Sequence, residues 1–500
     1  MTKKDIITEL EPLFYPRAVS IVGASKSLVK IGSMTLLSII AGGFEGGIYP
    51  VNRKGGKILG LKAYTDFKSM PNDADLLVVC VPAKAVPQVM EDGIDAGVGA
   101  AVIISSGFGE VGKEGKKLED EVVRIARNGG IRFVGPNCMG MCSSPVKLYA
   151  LMNMMMPIPG DISFVSQSGT LGTVNMLIAS DHGIGFNKFV SSGNEADLKA
   201  EDLIEYYAND GDTKMVLSFI EGLRNGRKFF EVSKVSSKKK PFIMLKAGVT
   251  KEGAQAANSH TGSLAGSNII NDIAFRQAGV VKASNGTEMI ELIKAFSLLE
   301  IPKGNRVGIV TGGGGAGVLA ADACGKMGLE VPKLPEEIIN ELNEFLPPFW
   351  SHGNPIDITA SGGIGGSSGA DFSVLTRCLE ALLKYEGIDS VICQGMNISD
   401  MMSTAFSNFP EKFKNMLNTT MMGAMSSIET KLNNEVIDLK NKYGKPIVLM
   451  GMHEGVSESA KSLEEQGVIL YAEPDQAALV LSKMAWYGDY IKQTVVEQSE

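Results

Sequence analysis

Four histidines occur in the chain, at 182, 260, 352 and 453, and one stands apart by its neighbours. His260 sits in the run Ala-Ala-Asn-Ser-His-Thr-Gly-Ser-Leu-Ala-Gly (256–266), whose small side chains leave room for a bulky anion beside the ring. A histidine kept for packing would more often have packing side chains around it. Such an imidazole acts as a nucleophile when a carboxylate fixes its tautomer and leaves the other nitrogen unprotonated. Glu221 offers that carboxylate. It follows the apolar run 215–220 and so falls at the carboxyl end of a strand, where sites of open α/β sheets gather. Read alone, Glu221 is equally well a solvated strand-end acid.

Three glycine loops suit anions. Ile-Val-Gly-Ala-Ser (21–25) ends an apolar run and precedes Lys30-Ile31-Gly32, which points backbone N–H groups at a phosphate from a helix start. It is not a complete G-x-G-x-x-G. The second strand ends Tyr-Pro-Val-Asn-Arg-Lys-Gly (49–55), with two cations where a nicotinamide dinucleotide fold for NAD carries an acid. NADP and coenzyme A both fit those cations and NAD does not; a tight turn with two solvated cations is the structural alternative. Val-Ser-Gln-Ser-Gly-Thr (165–170) repeats the logic with added hydroxyl donors. It is not a nucleophile elbow, because Ser166 stands where that motif needs glycine. Thr-Gly-Gly-Gly-Gly-Ala-Gly-Val (311–318) is the third, and four consecutive glycines exceed what a turn alone requires. No G-K-[ST] follows any of them, so none is a P-loop.

Alternating apolar and helical stretches must position these loops. Short β-rich runs at 18–22, 47–51, 76–81, 100–105 and 132–135 are spaced for crossover helices, which predicts a doubly wound parallel sheet. The runs 162–166, 188–191, 215–220 and 242–246 repeat the pattern, and 307–310, 390–393, 446–450 and 468–471 form a third set. The segment 299–305, with Pro302 and Gly304, reads as a linker.

The chain has 500 residues, 44% hydrophobic and 21% charged, which excludes a disordered or coiled-coil protein. Net charge is −8, so no basic field argues for nucleic acid, and Lys238–Lys240 reads as the exposed end of a helix. No apolar run reaches the roughly 18–20 residues of a membrane helix, and the first residues carry no signal region, so a cytoplasmic protein without membrane contact is expected. The six cysteines show neither a metal pattern nor a disulfide framework, and no metal site is expected. Methionines cluster at 152–156 and 421–425, as flexible core filler or as a pliable acyl pocket.

Taken in order, these motifs resemble the NDP-forming acyl-CoA synthetases, the family of ADP-forming acetate–CoA ligase and succinyl-CoA synthetase. The resemblance runs from about residue 13 to 490. It is carried by Gly23-Ala24-Ser25, Pro50-Val51-Asn52 with Lys54, Val81-Pro82-Ala83, Ser106-Gly107-Phe108 and Gly135-Pro136-Asn137-Cys138. A second series follows: Ser166 to Thr170, Ser192-Gly193-Asn194-Glu195-Ala196-Asp197, Ile220-Glu221-Gly222, Lys246-Ala247-Gly248 and Ser259-His260-Thr261-Gly262. Gly315-Ala316-Gly317, then Asn354-Pro355-Ile356-Asp357, complete it.

The resemblance implies an α/β fold with a Rossmann-like CoA-binding domain (1–145) followed by two flavodoxin-like, succinyl-CoA synthetase-like doubly wound domains (146–300, with the phosphohistidine loop, and 301–500). Coenzyme A is expected at Gly23, Ala24, Ser25, Lys26, Val51, Asn52, Lys54, Val81, Pro82, Ser106, Asn137 and Cys138. Phosphate is expected at Ser166, Ser168, Gly169, Thr170, Gly262, Gly315, Ala316 and Gly317. Acyl-CoA and phosphate would give an acyl phosphate and CoA; His260, oriented by Glu221, would take the phosphoryl group and pass it to ADP. The family's nucleotide-binding ATP-grasp domain is not found in the chain, so ADP/ATP with Mg2+ is expected on a separate β subunit, in an α2β2 assembly. The acid and its CoA thioester are the small-molecule partners. A non-catalytic CoA- or acyl-CoA-binding regulatory protein is the rival reading, and an NADP dehydrogenase a distant third.

Overall fold

Five apolar runs of the first region form β1 (Ala18–Val22), β2 (Gly47–Val51), β5 (Leu76–Val79), β6 (Ala100–Ile103) and β7 (Arg132–Val134). They pair in parallel in the order β2-β1-β5-β6-β7. A parallel sheet has both faces covered, which is why its strands read as unbroken apolar runs. Val19, Ile21, Leu76, Val78, Val102 and Val134 pack in one core with Leu36 and Ile39 and with Leu10, Leu13 and Phe14 of the helix Ile6–Phe14. Ala18, Val22, Leu77, Val79, Ala101 and Phe133 pack in another, with Val86, Met90, Val122 and Ile125 of the helices Val86–Asp95 and Lys113–Gly129. A two-stranded ribbon, β3 (Gly56–Ile58) and β4 (Leu61–Ala63), follows β2. The structure, a computed structural model, describes residues 5–255, 268–358, 373–395, 409, 419–451 and 458–499. Its elements divide into two units, 1–290 and 291–500.

The first unit holds a second sheet, β14-β13-β12-β10-β11-β8-β9. Its parallel part is β10 (Pro159–Ser166), β11 (Phe186–Ser191), β12 (Met215–Ile220), β13 (Phe242–Lys246) and β14 (Val281–Ala283). The hairpin β8 (Gly140–Ser143) and β9 (Leu148–Leu151) adds antiparallel to the β11 edge. The change of sheet therefore falls between β7 and β8, ahead of the 145/146 border drawn from sequence. Each hairpin strand is four residues long and wholly buried, so it carries no apolar–polar alternation to announce it.

Main-chain contacts along one seam join the two sheets. Leu198 N donates to Phe133 O (3.2 Å), Ala196 N to Gly135 O (3.1 Å) and Asn194 N to Pro136 O (2.9 Å). Gly193, in the turn beside this seam at φ +59°, permits a close approach; a Cβ there would sit 2.4 Å from Pro136 O and 2.6 Å from Asn137 O. Arg132 reinforces the seam, its guanidinium donating to Asp197 and to Glu9, each at 2.9 Å. Lys188, fully buried on β11, pairs with Asp210 at 2.7 Å and donates to Tyr15 at 3.0 Å. That satisfies a charge which burial alone would make very costly.

In the second unit β15 (Val307–Thr311), β16 (Ile356–Asp357), β17 (Ser390–Gln394), β18 (Ile447–Met450) and β19 (Ile469–Tyr471) form a parallel sheet, β16-β15-β17-β18-β19. Its core gathers Val310, Val391, Leu449, Leu379, Leu382 and Trp350. β14 and β16, three and two residues long, have no counterpart among the runs read from sequence. No helix among the described residues is long and apolar enough to cross a membrane.

The Gly193 contact generates a stability prediction. Gly193→Ala must accept a left-handed backbone, about 1 kcal/mol, and also push two carbonyl oxygens apart. Gly97 is left-handed too, at φ +88°, but a Cβ there meets nothing within 4 Å. Gly193→Ala should lower the unfolding temperature by about 5 °C or more, and Gly97→Ala by clearly less. Equal shifts in thermal melts would remove the close approach as a constraint.

Candidate active site at the carboxyl ends of two sheets

The loops expected to bind coenzyme A all leave the carboxyl ends of the first sheet, around the point where strand order reverses beside β1. Gly23 turns at φ +109°, and a Cβ there would lie 2.2 Å from Cys80 O. Only glycine lets the β1 loop lie so tightly on the β5 loop. Ser33, on the helix Ile31–Gly42, accepts from Ser25 N at 2.9 Å and donates to Ser25 O at 2.8 Å. Asn52 bridges the ends of β1 and β2. Its amide nitrogen donates to Ala24 O (2.7 Å), while its oxygen accepts from Lys54 N (2.9 Å). Lys26 and Lys54 are exposed, Val51 is buried, and the helix Ile31–Gly42 starts without a side-chain cap. Ser105 donates to Val81 O at 2.6 Å, tying the Val81-Pro82 turn to the loop that carries Ser106.

The loop of the second sheet expected to hold phosphate is built by its own hydroxyls. Ser168 caps the helix Gly169–Asp181, its Oγ accepting from Leu171 N at 3.4 Å. Ser166 is buried and donates to Ser168 O at 2.5 Å, so its hydroxyl shapes the turn. Ser168 and Gly169 are half-buried and Thr170 is exposed. A helix start of this kind carries roughly half a positive charge and suits a phosphate dianion.

A cavity of ≈ 680 Å³ joins the two sets. Ser106, Asn137 and Cys138 reach it from the first sheet, and Ser168, Gly169 and Thr170 from the second. Gly23, Ala24, Ser25, Lys26, Val51, Asn52, Lys54, Val81 and Pro82 are not among its lining residues; they stand at the strand ends of the first sheet. Ile31, Ile104, Met139 and Met152 give the cavity an apolar side. Met152, one of the clustered methionines, lines the cavity and also packs against the core, a place compatible with either reading of the cluster. Its neighbour Met154 is exposed rather than core. Cys138 is buried and donates to Ile103 O at 3.4 Å; burial pushes its thiol up to about 12, so it is a neutral packing group.

Carboxylates that sequence reasoning did not single out as site residues line the same cavity. Burial acts to push the Glu110 carboxyl up, but Asn194 and the Gly107 and Phe108 amides hold it below its ordinary value. Glu195 is 3% exposed, and burial pushes its carboxyl up to about 7 against donors from Gln167 and Ser192. Glu221, one residue beyond β12, is not among the cavity's lining residues. Its N–H donates to Gln167 Oε1 at 2.6 Å, and its carbonyl accepts from Lys246 Nζ at 2.7 Å. Burial lowers the Lys246 ammonium below its ordinary value. An acid inside a glycine loop at a strand end, as at Glu195, was the available signal.

Gly315, Ala316 and Gly317 lie in the second unit, in the first turn of the helix Gly314–Lys326. Gln394 accepts from Gly312 N at 2.8 Å, and Asn354 accepts from Ile309 N at 2.9 Å and donates to Val307 O at 2.9 Å. Gln394 thus holds the first residue of the glycine loop, and Asn354 holds the strand that leads into it. His260 and Gly262 lie outside the described residues. Among the described residues no cluster of His, Cys, Asp or Glu could hold a metal ion.

Comparison with known proteins matches this layout. Residues 17–144 match the CoA binding domain family, 159–296 the succinyl-CoA ligase like flavodoxin domain, and 307–375 the Ligase-CoA domain. The chain is 39% identical to the alpha subunit of ADP-forming acetate–CoA ligase II of Pyrococcus furiosus, over 94% of this chain and 96% of that one. It is 40% identical to ADP-forming acetate–CoA ligase I of Archaeoglobus fulgidus over 77% of this chain, but spans only 54% of that longer protein. Among solved structures it is similar to the dinucleotide-forming acetyl-coenzyme A synthetase 1 of Ca. Korarchaeum cryptofilum, in complex with phosphate and ADP. There the TM-score is 0.82 at 34% identity, covering 97% of this chain and 99% of that one. A CoA-binding sheet, a flavodoxin-like ligase sheet and near full-length identity to acetate–CoA ligase alpha subunits place the chain in the NDP-forming acyl-CoA synthetase family.

Proposed function

We propose that this chain is the catalytic α subunit of an ADP-forming acid–thiol ligase that interconverts acyl-CoA, phosphate and ADP with the free acid, CoA and ATP. The observation that carries this reading is the single cavity where the loops of the CoA-binding sheet meet the helix start at Ser168, Gly169 and Thr170. A thioester reaching in from the first sheet would meet there a phosphate held by the second. The phosphate oxygen attacks the thioester carbonyl, the C–S bond breaks, and CoA leaves as a thiolate that takes up a proton. A ring nitrogen of His260 then attacks phosphorus; the bond to the acyl oxygen breaks and the carboxylate departs. Glu221 keeps the imidazole in the tautomer this requires. The terminal oxygen of ADP finally takes the phosphoryl group and frees the imidazole.

The histidine is needed because acyl chemistry and nucleotide sit at separate places, and a phosphoramidate keeps the transfer potential between them. Gly262, Gly315, Ala316 and Gly317 are assigned to the phosphoryl group as well. ADP with Mg2+ would be held by a separate ATP-grasp β subunit in an α2β2 assembly. Two relatives that this chain matches over nearly their whole length, at 96% and 94%, are themselves named alpha subunits. We place the enzyme in the cytoplasm, where its six free cysteines would stay reduced.

Incubated with acetyl-CoA and labelled phosphate, the full chain should gain one phosphoryl group, read by intact mass. His260→Ala should gain none while binding CoA as before; label on that variant would remove His260 as carrier. Lys54→Glu reverses one exposed charge beside the CoA loops and should weaken CoA about three- to tenfold. An unchanged titration would exclude Lys54 from the site. ATP should form only when a nucleotide-binding partner subunit is added.

A further inference from the structure

Gln167 stands in the turn between β10 and the helix Gly169–Asp181, with every hydrogen-bonding valence of its side chain used. Oε1 accepts from Glu221 N (2.6 Å) and Gly222 N (3.0 Å). Nε2 donates to Gly222 O (2.8 Å) and to the Glu195 carboxylate (2.9 Å). Flipping the amide would set its NH2 against two backbone N–H groups, so the network fixes its orientation. The need for such a clamp is local. Sheet pairing of β12 ends at Ile220 against Lys246, and the next two peptides have no ladder to hold them. A side chain takes the ladder's place.

Glu195 is the other half of the clamp. Besides Gln167 it accepts from Ser192 Oγ (2.9 Å) and Ala200 N (3.2 Å), with the Arg224 guanidinium 3.9 Å away. Its neighbours are all donors, which only a group with acceptors on both oxygens satisfies. Its backbone is left-handed at φ +56°, a conformation non-glycine residues adopt when the surroundings impose it.

We propose that Gln167 and Glu195 are positioning residues for phosphoryl transfer: together they hold the main chain of Glu221 and Gly222 so that the Glu221 carboxylate is presented to the histidine. This rests on the assignment of His260 and Glu221 above. Both line the cavity, but their side-chain hydrogen bonds are spent on main chain, on Ser192 and on each other. The CoA loops at 23–25 and 52–54 lie outside that cavity, at the strand ends of the first sheet, so loss of the clamp should act far more on turnover than on CoA binding.

The test swaps the polarity of the pair in the full chain, with acetyl-CoA and labelled phosphate as probes. Gln167→Glu sets two carboxylates face to face, and Glu195→Gln puts an NH2 group against a donor. Each should slow phosphoryl incorporation at least tenfold, with CoA affinity changed by far less. The double variant Gln167→Glu/Glu195→Gln again pairs an acceptor with a donor across 167–195 but leaves the carboxylate at 167 facing Gly222 O. It should therefore run faster than Gln167→Glu alone without reaching the wild-type rate, a coupling that a general loss of stability would not produce. If Gln167→Glu fails to fold, the milder Glu195→Gln and the double variant still carry the comparison. Wild-type rates in both single variants, or a double variant no faster than the slower single one, would overturn the clamp. No incorporation by the wild-type chain would instead overturn the phosphohistidine assignment on which it rests.

Discussion

The site exists because two peptide segments run side by side: residues 194–198 along 133–136, joined by three main-chain hydrogen bonds. Each such bond contributes only about 1 kcal/mol net, but together they bring the carboxyl ends of two different sheets to one cavity. Gly193 permits the approach and Arg132 brackets it with two carboxylates. Without this seam the first sheet would be a binding domain and the second a separate anion site, and a thioester would have no phosphate to meet.

Where strands end and their ladders stop, side-chain amides take over. Asn52 spans the ends of β1 and β2, Gln167 spans those of β10 and β12, and in the second unit Gln394 holds the loop after β15 while Asn354 pairs with β15 itself, ahead of its short ladder with β16. An amide carries donor and acceptor on one rigid plane, so it can substitute for a missing peptide partner on either side. The device recurs at the loops assigned to ligands because those loops leave the sheet yet must stay in register.

The cavity wall carries acids although its substrates are anions. That conflict is resolved by donors: Asn194 and backbone amides occupy Glu110, and Gln167, Ser192 and Ala200 occupy Glu195. These carboxylates are spent on structure, and the positive groups at the cavity are the helix start at Gly169 together with Lys116, Lys199 and Arg224. Burial pushes the Glu195 carboxyl up to about 7 against the donors Gln167 and Ser192.

The sequence by itself determined the local elements. Ala18–Val22 is a wholly buried and mostly apolar run, because burial on both faces of a parallel sheet writes itself into consecutive residues. The edge strand Gly47–Val51 is only partly buried and was legible from its β-rich residue types, and each strand of the sets read from sequence recurs within a few residues. The glycine loops and the strand-end acid at Glu221 were legible for the same reason, since a tight turn or a close approach restricts residue type at one position. The hairpin of β8 and β9, the two-residue β16 and the Gln167–Glu195 clamp were not. Short buried strands lack periodicity, and a glutamine or glutamate in a loop looks solvated until its distant partners are known. Only tertiary structure brought Gln167, Glu195 and Glu221 together, because hydrogen bonds between residues 28 and 54 positions apart leave no mark on local spacing.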